Sequence, residues 1–451
     1  SVRHGVTAAQ RGVWVAQQLR PDSRLYNCGL YLELDGALDP AVLSRAVRRT
    51  LAETEALRSR FEEDDDGALL QRVLAPAPDE QTRLLEDGVP YTPVLLRHID
   101  LSGDDDPEAA ARRWMDADLA EPVDLDRAGT SRHALLTLGG DRHLLYLGYH
   151  HIALDGFGAA LYLDRLAAVY RALRTGREPP PCPFGPLDRL VAEEAAYRDS
   201  ARHRRDRAYW TGRFADLPEP VGLAGRAAAA APAPLRRTVR LPPERTAALA
   251  AAAEATGSRW PAVVIAAVAA FLRRLAGAEE VVVGLPVTAR VTRAALRTPG
   301  MLANVLPLRL EVRQGASFAA LLEETSRALS ALLRHQRFRG EDLGRELGLA
   351  GERAGLAPTT VNVMAFAPVL DFGDCRAVVH QLSSGPVEDL AINLYGTPGT
   401  GDELRVTVAA NPALYTADDV ASLQERLVRF LAALGADPAA PVGRVRLLDP
   451  A

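Results

Sequence analysis

At 451 residues, with 48% apolar and 25% charged residues, the chain has the balance of a soluble globular protein and room for two domains with sizeable cores. The net charge of -5 gives no reason to expect a nucleic-acid partner. The longest apolar run, "WPAVVIAAVAAFL" (260–272), is shorter than the roughly 20 residues that cross a bilayer.

All 53 basic residues are arginine, a bias that fits a GC-rich genome. Clusters such as "ARHRRDR" (201–207) are interleaved with acids and read as solvated helix faces. Cys28, Cys182 and Cys375 are odd in number and widely spaced, so they draw neither a disulfide framework nor a zinc knuckle. The start of the chain lacks the basic-then-apolar pattern of a signal peptide, and a cytoplasmic location without membrane contact is expected.

In chain order, "TAAQRGVWVAQQL" (7–19) reads as a helix and "LYLELDG" (30–36) as a strand. A second helix, "DPAVLSRAVRRTLAET" (39–54), opens with an Asp cap and Pro at its first position. "RHLLYLGYHH" (142–151) alternates as a strand does, and then the spacing changes. Tyr162, Leu166, Val169 and Leu173 form a helical stripe that stops at Gly176. "REPPPCPFGP" (177–186) excludes regular structure and predicts a boundary between residues 1–176 and 177–451. The second part repeats a helix-then-strand grammar: 258–277 into 279–290, and 318–336 before "TTVNVMAF" (359–366). Two α+β lobes are the simplest architecture. The acidic runs "EEDDDG" (62–67) and "SGDDDPE" (102–108) read as solvated loops rather than metal sites.

"YHHIALDGFG" (149–158) concentrates the chemistry. Neighbouring strand residues face opposite ways, so His150 and His151 do not share a metal, and no metal site is expected, though ligation by one of them stays open on spacing alone. One histidine can face a cleft while the other is held inside its lobe. Asp155 lies beyond the strand end, where a buried carboxylate needs an arginine or several amide donors. It is better placed to hold geometry than to move protons. Gly156 lets substrate approach the backbone closely. A neutral histidine at a cleft can take a proton from an attacking amine or hydroxyl. No Ser or Cys stands in a nucleophile elbow, so direct transfer is expected. A merely satisfied structural histidine is the alternative.

The surrounding segments resemble the motifs of nonribosomal peptide synthetase condensation domains, relatives of chloramphenicol acetyltransferase. "HHIALDG" resembles the HHxxxDG motif. "TAAQRGVWVAQQL", with Gln10, Arg11 and Trp14, and "TEALRSRF" (54–61), with Glu55, Leu57, Arg58 and Phe61, resemble the two motifs before it. "YRDSARHRRDRAYW" (197–210), "GLPVTAR" (284–290) with "MLANVLPLRL" (301–310), and "RHQRF" (334–338) are similar to those after it. The last carries Arg337 where an acid is usual, and "TTVNVMAF" matches in outline only.

The resemblance implies two chloramphenicol-acetyltransferase-like lobes in a V-shaped pseudo-dimer with a tunnel between them. It makes His151 the catalytic histidine, with the Gly156 amide helping to stabilise an oxyanion. His150, Asp155, Arg58 and Arg290 would support the site, Arg290 pairing with Asp155 from the other half. Gln10 and Asn304 would line the tunnel, although packing roles serve them as well. The implied reaction forms an amide between a donor acyl thioester and an acceptor aminoacyl thioester. Both would arrive on the phosphopantetheine arms of carrier proteins, with no bound cofactor. The final segment, "DPAAPVGRVRLLDPA" (437–451), resembles a linker toward an adenylation domain.

Cyclization domains carry aspartates in place of the two histidines. Epimerization domains add a glutamate–histidine motif that "RGEDLGREL" (339–347) lacks, and recruitment domains have a degraded motif. "SVRHG", "GVPYTPVLLRHIDLSG" (88–103), "RFRGEDL" and "SSGPVEDLAI" (383–392) are similar to initiating domains of actinobacterial lipopeptide synthetases of the calcium-dependent-antibiotic type. That likeness implies a fatty-acyl donor, with the peptidyl donor of elongating domains, which can share these segments, as the alternative. Gly156, Gly158, Ala159 and Ala160 either leave room beside His151 or permit ordinary close packing. A stand-alone acyl-CoA-dependent N- or O-acyltransferase and a catalytically silent docking module are the competing readings.

Overall fold

The computed structural model describes residues 2–76, 83–84, 90–91, 96–126, 129–220, 222–349, 356–364, 370–396 and 404–445. Parts of "GVPYTPVLLRHIDLSG", the end of "TTVNVMAF" and the end of the C-terminal segment lie outside the described residues.

Local signals place the first helices. Thr7 caps the Ala8–Gln18 helix through a reciprocal capping box with Gln10, and the Asp39 side chain accepts from the Ala41 and Val42 amides ahead of Pro40–Glu53. The first unit is built on a five-stranded sheet. Its order is Cys375–Ser384, Asn27–Gly36, Arg142–His150, Ser131–Gly139, Leu96–Asp100. All neighbours are antiparallel except the last pair.

Both faces of this sheet are covered, so Arg142–His150 is buried almost throughout. Leu145, Leu147 and Tyr149 join one core with Leu43, Val47, Tyr162 and Leu166, whereas Leu144 and Tyr146 join a second with Ala111 and Met115. The alternation read in the sequence therefore divides two cores, rather than core from solvent.

The second unit has a six-stranded sheet. Its order is Leu235–Leu241, Leu404–Ala410, Leu390–Tyr395, Thr359–Met364, Glu280–Val287, Asn304–Glu311. Thr359–Met364 runs parallel to both of its neighbours and the other pairs are antiparallel. The long apolar run becomes the Trp260–Ala276 helix, buried from Ala262 through Arg273 and ended by a left-handed Gly277. Side chains such as Ile265, Phe271 and Leu272 each contribute about 1.5–3 kcal/mol by leaving water. Among the described residues no single helix is long and apolar enough to cross a membrane. With mixed sheets and packed helices in each unit, the fold is α+β.

The boundary expected at 176/177 is corrected. The first unit takes residues 1–199, 290–303 and 368–385, and the second takes 200–289, 304–367 and 386–451. The Pro-rich stretch is indeed irregular but lies within the first unit. The reason is long-range pairing: Cys375–Ser384 forms the edge of the first sheet, from Cys375 opposite Gly36 to Ser384 opposite Cys28.

Candidate active site

The Arg142–His150 strand ends where the His150 amide donates to the Thr130 carbonyl and the His151 amide to the Tyr26 carbonyl. A tight turn follows, and Asp155 then caps the Gly156–Arg174 helix by accepting from the Gly158 amide at 2.7 Å. His151 thus stands in the turn just past the strand, not within it as the alternation predicts.

His150 is 0% exposed. Its Nδ1 accepts from the Ile152 amide at 3.2 Å, so Nε2 carries the proton and donates to Gln17 Oε1 at 3.3 Å. With both nitrogens occupied, this ring supports the turn and offers no lone pair to substrate. Burial pushes its pKa down to about 3, and does the same to His133, which meets the Tyr162 hydroxyl at 2.8 Å. Unfolded histidine protonates near pH 6.5, so the folded state's advantage is complete above that pH and shrinks as pH falls toward 3. Each histidine then removes about 1.4 kcal/mol per pH unit. Urea unfolding at pH 6.5 and 5.0 should show this decline, and His150→Gln should flatten its share. An equally steep decline in that variant would mean that His150 does not titrate in this way.

His151 is half-buried, and its Nδ1 lies 3.0 Å from the Leu154 carbonyl oxygen. A carbonyl only accepts, so Nδ1 carries the proton and Nε2 holds the lone pair. The turn therefore selects the tautomer suited to a base.

Asp155 and Arg290 form a buried pair, 1% and 0% exposed at their side chains. Arg290 Nη2 reaches the two carboxylate oxygens at 3.1 and 3.2 Å, and the Leu302 and Ala303 amides donate to Oδ2 at 2.9 and 3.0 Å. The guanidinium also donates to the carbonyls of Ala295, Thr298 and Gly300, and lies 5.0 Å from the centre of the Phe157 ring. Four donors satisfy this buried carboxylate without water. The pairing expected from another half is instead internal to the first unit, which includes residues 290–303.

Gly156 is exposed at the first position of its helix, and a Cβ there would meet nothing within 4 Å. Packing does not demand glycine at this site. Its amide belongs to the first turn, whose donors lack intrahelical acceptors and carry partial positive charge. Gly158 is explained by packing rather than donor room: a Cβ would fall 2.9 Å from the Gly300 carbonyl oxygen. Ala159 is likewise buried in the core.

Gln10 and Asn304 do not take the lining role. Gln10 is 2% exposed, donating to Gln71 Oε1 and the Ile152 carbonyl while accepting from the Thr7 amide. It steadies the residue that follows His151. Asn304 is 1% exposed and lies in the second unit, bonded to the Gln336 and Phe338 carbonyls and the Gly340 amide. Arg58 donates to the Leu74 carbonyl within its own segment. Among the described residues no group of three or more His, Cys, Asp or Glu is arranged to hold a metal ion.

Two further residues of the site lie inside "TAAQRGVWVAQQL" and "SSGPVEDLAI" but are not singled out by those segments. Gln17 receives His150, and Gly385, at φ +100, lies against the His151 ring.

The comparisons with known proteins give the family of this fold. Residues 4–451 match the condensation-domain family model, and the chain belongs to that family. It is 40% identical over 450 residues to a dimodular nonribosomal peptide synthase of Bacillus subtilis (strain 168), covering 100% of this chain and 18% of that one. It is 41% identical over 444 residues to an isonitrile lipopeptide synthase of Streptomyces coeruleorubidus, covering 98% of this chain and 29% of that one. The chain thus spans less than a third of these multidomain relatives. The first condensation domain of the calcium-dependent antibiotic synthetase, solved with a substrate analogue, is similar at 57% identity and a TM-score of 0.94, with 100% of each chain covered. A starter condensation domain of a rhizomide synthetase, solved as a variant with C8-CoA, is similar at 38% identity and a TM-score of 0.88, covering 99% and 98%. The chain is a condensation domain of the nonribosomal peptide synthetase type, similar to the first condensation domain of one synthetase and the starter condensation domain of another.

Proposed function

We propose that this domain joins a donor acyl thioester to the amine of an acceptor aminoacyl thioester. The carrying observation is the fixed tautomer of His151, with Nδ1–H on the Leu154 carbonyl and the Nε2 lone pair left for an amine. The amine nitrogen attacks the thioester carbonyl, forming the C–N bond and an oxyanion. His151 Nε2 takes the amine proton. Collapse breaks the C–S bond, and the proton passes to the departing thiolate, leaving an amide and a free thiol. The Gly156 amide, at a helix N-terminus, is suited to stabilise the oxyanion. Tethering both substrates raises their effective concentration.

In this reading carrier proteins deliver both substrates on phosphopantetheine arms, no cofactor is bound, and an adenylation domain is the neighbour. The multidomain synthetases to which the chain is similar support that arrangement. Incubation with loaded carriers, followed by intact mass spectrometry, should show the acyl group moving onto the acceptor carrier. Carriers left unchanged would leave a silent docking module. The complex of a similar starter domain with C8-CoA favours a second reading, in which acyl-CoA itself is the donor. Turnover of acyl-CoA with free amine, but not of loaded carriers, would select it.

The donor is a fatty acyl group. The likeness to starter domains supports this. With fatty-acyl and peptidyl carriers in competition, the fatty-acyl donor should be used at least comparably. Exclusive use of peptidyl donors would remove the initiating assignment and leave condensation standing.

A further inference from the structure

We propose that Gly385 is a positioning residue for His151, its missing side chain setting where Nε2 points; this rests on the reading of His151 as the base. Gly385 follows the Cys375–Ser384 strand, whose end is clamped. Across the bulge between Gln381 and Ser383, Gln381 Nε2 donates to the Gly29 carbonyl at 3.1 Å and the Ser383 carbonyl at 2.7 Å. Ser383 Oγ donates to the Asn27 carbonyl at 3.0 Å, and Asn27 is the strand partner of His150. The backbone entering Gly385 is therefore fastened to the strand beside the histidine motif and has little freedom to recoil.

At φ +100 the chain adopts a conformation that side-chain-bearing residues rarely take. A Cβ built there would lie 3.1 Å from His151 Cδ2 and 3.7 Å from Nε2. The first distance is tighter than ordinary van der Waals contact, so one side must give. The clamped strand does not yield easily; the ring does. It is held at Nδ1 by the Leu154 carbonyl, and pressure on Cδ2 swings Nε2 about that point. The ring thus has a pivot at Leu154 and a stop at Gly385, and a methyl group would move the stop. It would also occupy space beside the lone pair that receives the amine.

Gly373, at φ +71, precedes the same strand, and a Cβ there would meet nothing within 4 Å. Gly373→Ala therefore imposes backbone strain without touching the histidine. Both alanine variants should lose thermal stability. Gly385→Ala alone should lower kcat by about tenfold or more on loaded carriers, with KM nearly unchanged. Nitrogen-15 NMR of the imidazoles should show the His151 Nδ1 and Nε2 signals displaced in Gly385→Ala and not in Gly373→Ala. If Gly385→Ala does not fold, Gly385→Asn carries the same comparison, because asparagine tolerates positive φ better and still adds a Cβ. Unshifted His151 signals in the folded variant, or equal kcat losses in Gly373→Ala, would overturn the proposal. A wild-type domain that forms no amide would instead count against the reaction, and the NMR comparison would still decide the positioning.

Discussion

Replacing His151 with alanine should lower amide formation by about 100-fold or more while leaving the fold intact. The ring is half-buried and bonds to the Leu154 carbonyl within its own turn, so the fold should survive its loss. Single-turnover assays with loaded carriers, read by intact mass spectrometry, measure the first part, and circular dichroism with thermal melting measures the second. His150→Ala should behave in the opposite sense, losing stability because Gln17 and the Ile152 amide are left without their buried partner. Near-wild-type turnover in His151→Ala, or a stable but inactive His150→Ala, would reverse the two roles.

Removing either member of the Asp155–Arg290 pair should cost about 3–5 kcal/mol of stability. Asp155→Ala strands a guanidinium and the amides of Gly158, Leu302 and Ala303. Arg290→Ala strands the carbonyls of Ala295 and Thr298, leaves the Gly300 carbonyl only the Asp155 amide, and leaves the carboxylate to backbone donors alone. The double variant no longer contains a lone buried charge, so its loss should fall short of the sum of the singles by about 1–3 kcal/mol. Urea unfolding of the four proteins measures this coupling. Strictly additive losses would mean that the charges do not hold one another.

What the sequence discloses here is local. Asp39 announces a helix start because a cap needs only the next three residues, whereas the caps at Thr7 and Asp155 emerge from the fold. The separate roles of His150 and His151 are read from the two-residue period of a strand, although His151 stands in the turn just beyond it. The Asp155–Arg290 pair was legible through the family resemblance, since nothing in the spacing of two residues so far apart points to it. The division at 176/177 failed because a proline-rich stretch marks irregular chain, and irregular chain need not separate domains. The edge strand Cys375–Ser384 has no neighbour in sequence that betrays its pairing with Asn27–Gly36. Gln10 and Asn304 looked available because amide side chains suit substrate as well as backbone, and only the fold shows that backbone claims them. Gly385 lies in "SSGPVEDLAI", read only for its likeness to initiating domains, and its meeting with His151 depends on a strand placed from far along the chain.

That late-arriving strand has a consequence during synthesis. Until Cys375–Ser384 has left the ribosome, Asn27–Gly36 presents an open edge that carries Leu30, Leu32 and Leu34. Exposed backbone donors beside leucines invite pairing with another nascent chain. At about 5–20 residues per second, translation from His151 to Gly385 takes roughly ten to fifty seconds. The histidine turn also waits, for a little over half of that interval, for the Arg290 that pairs with Asp155, and to its end for the glycine that stops its ring. Translation speed across the intervening stretch therefore sets how long the edge stays open, and slowing it should lower the yield of folded domain even when the finished protein is equally stable.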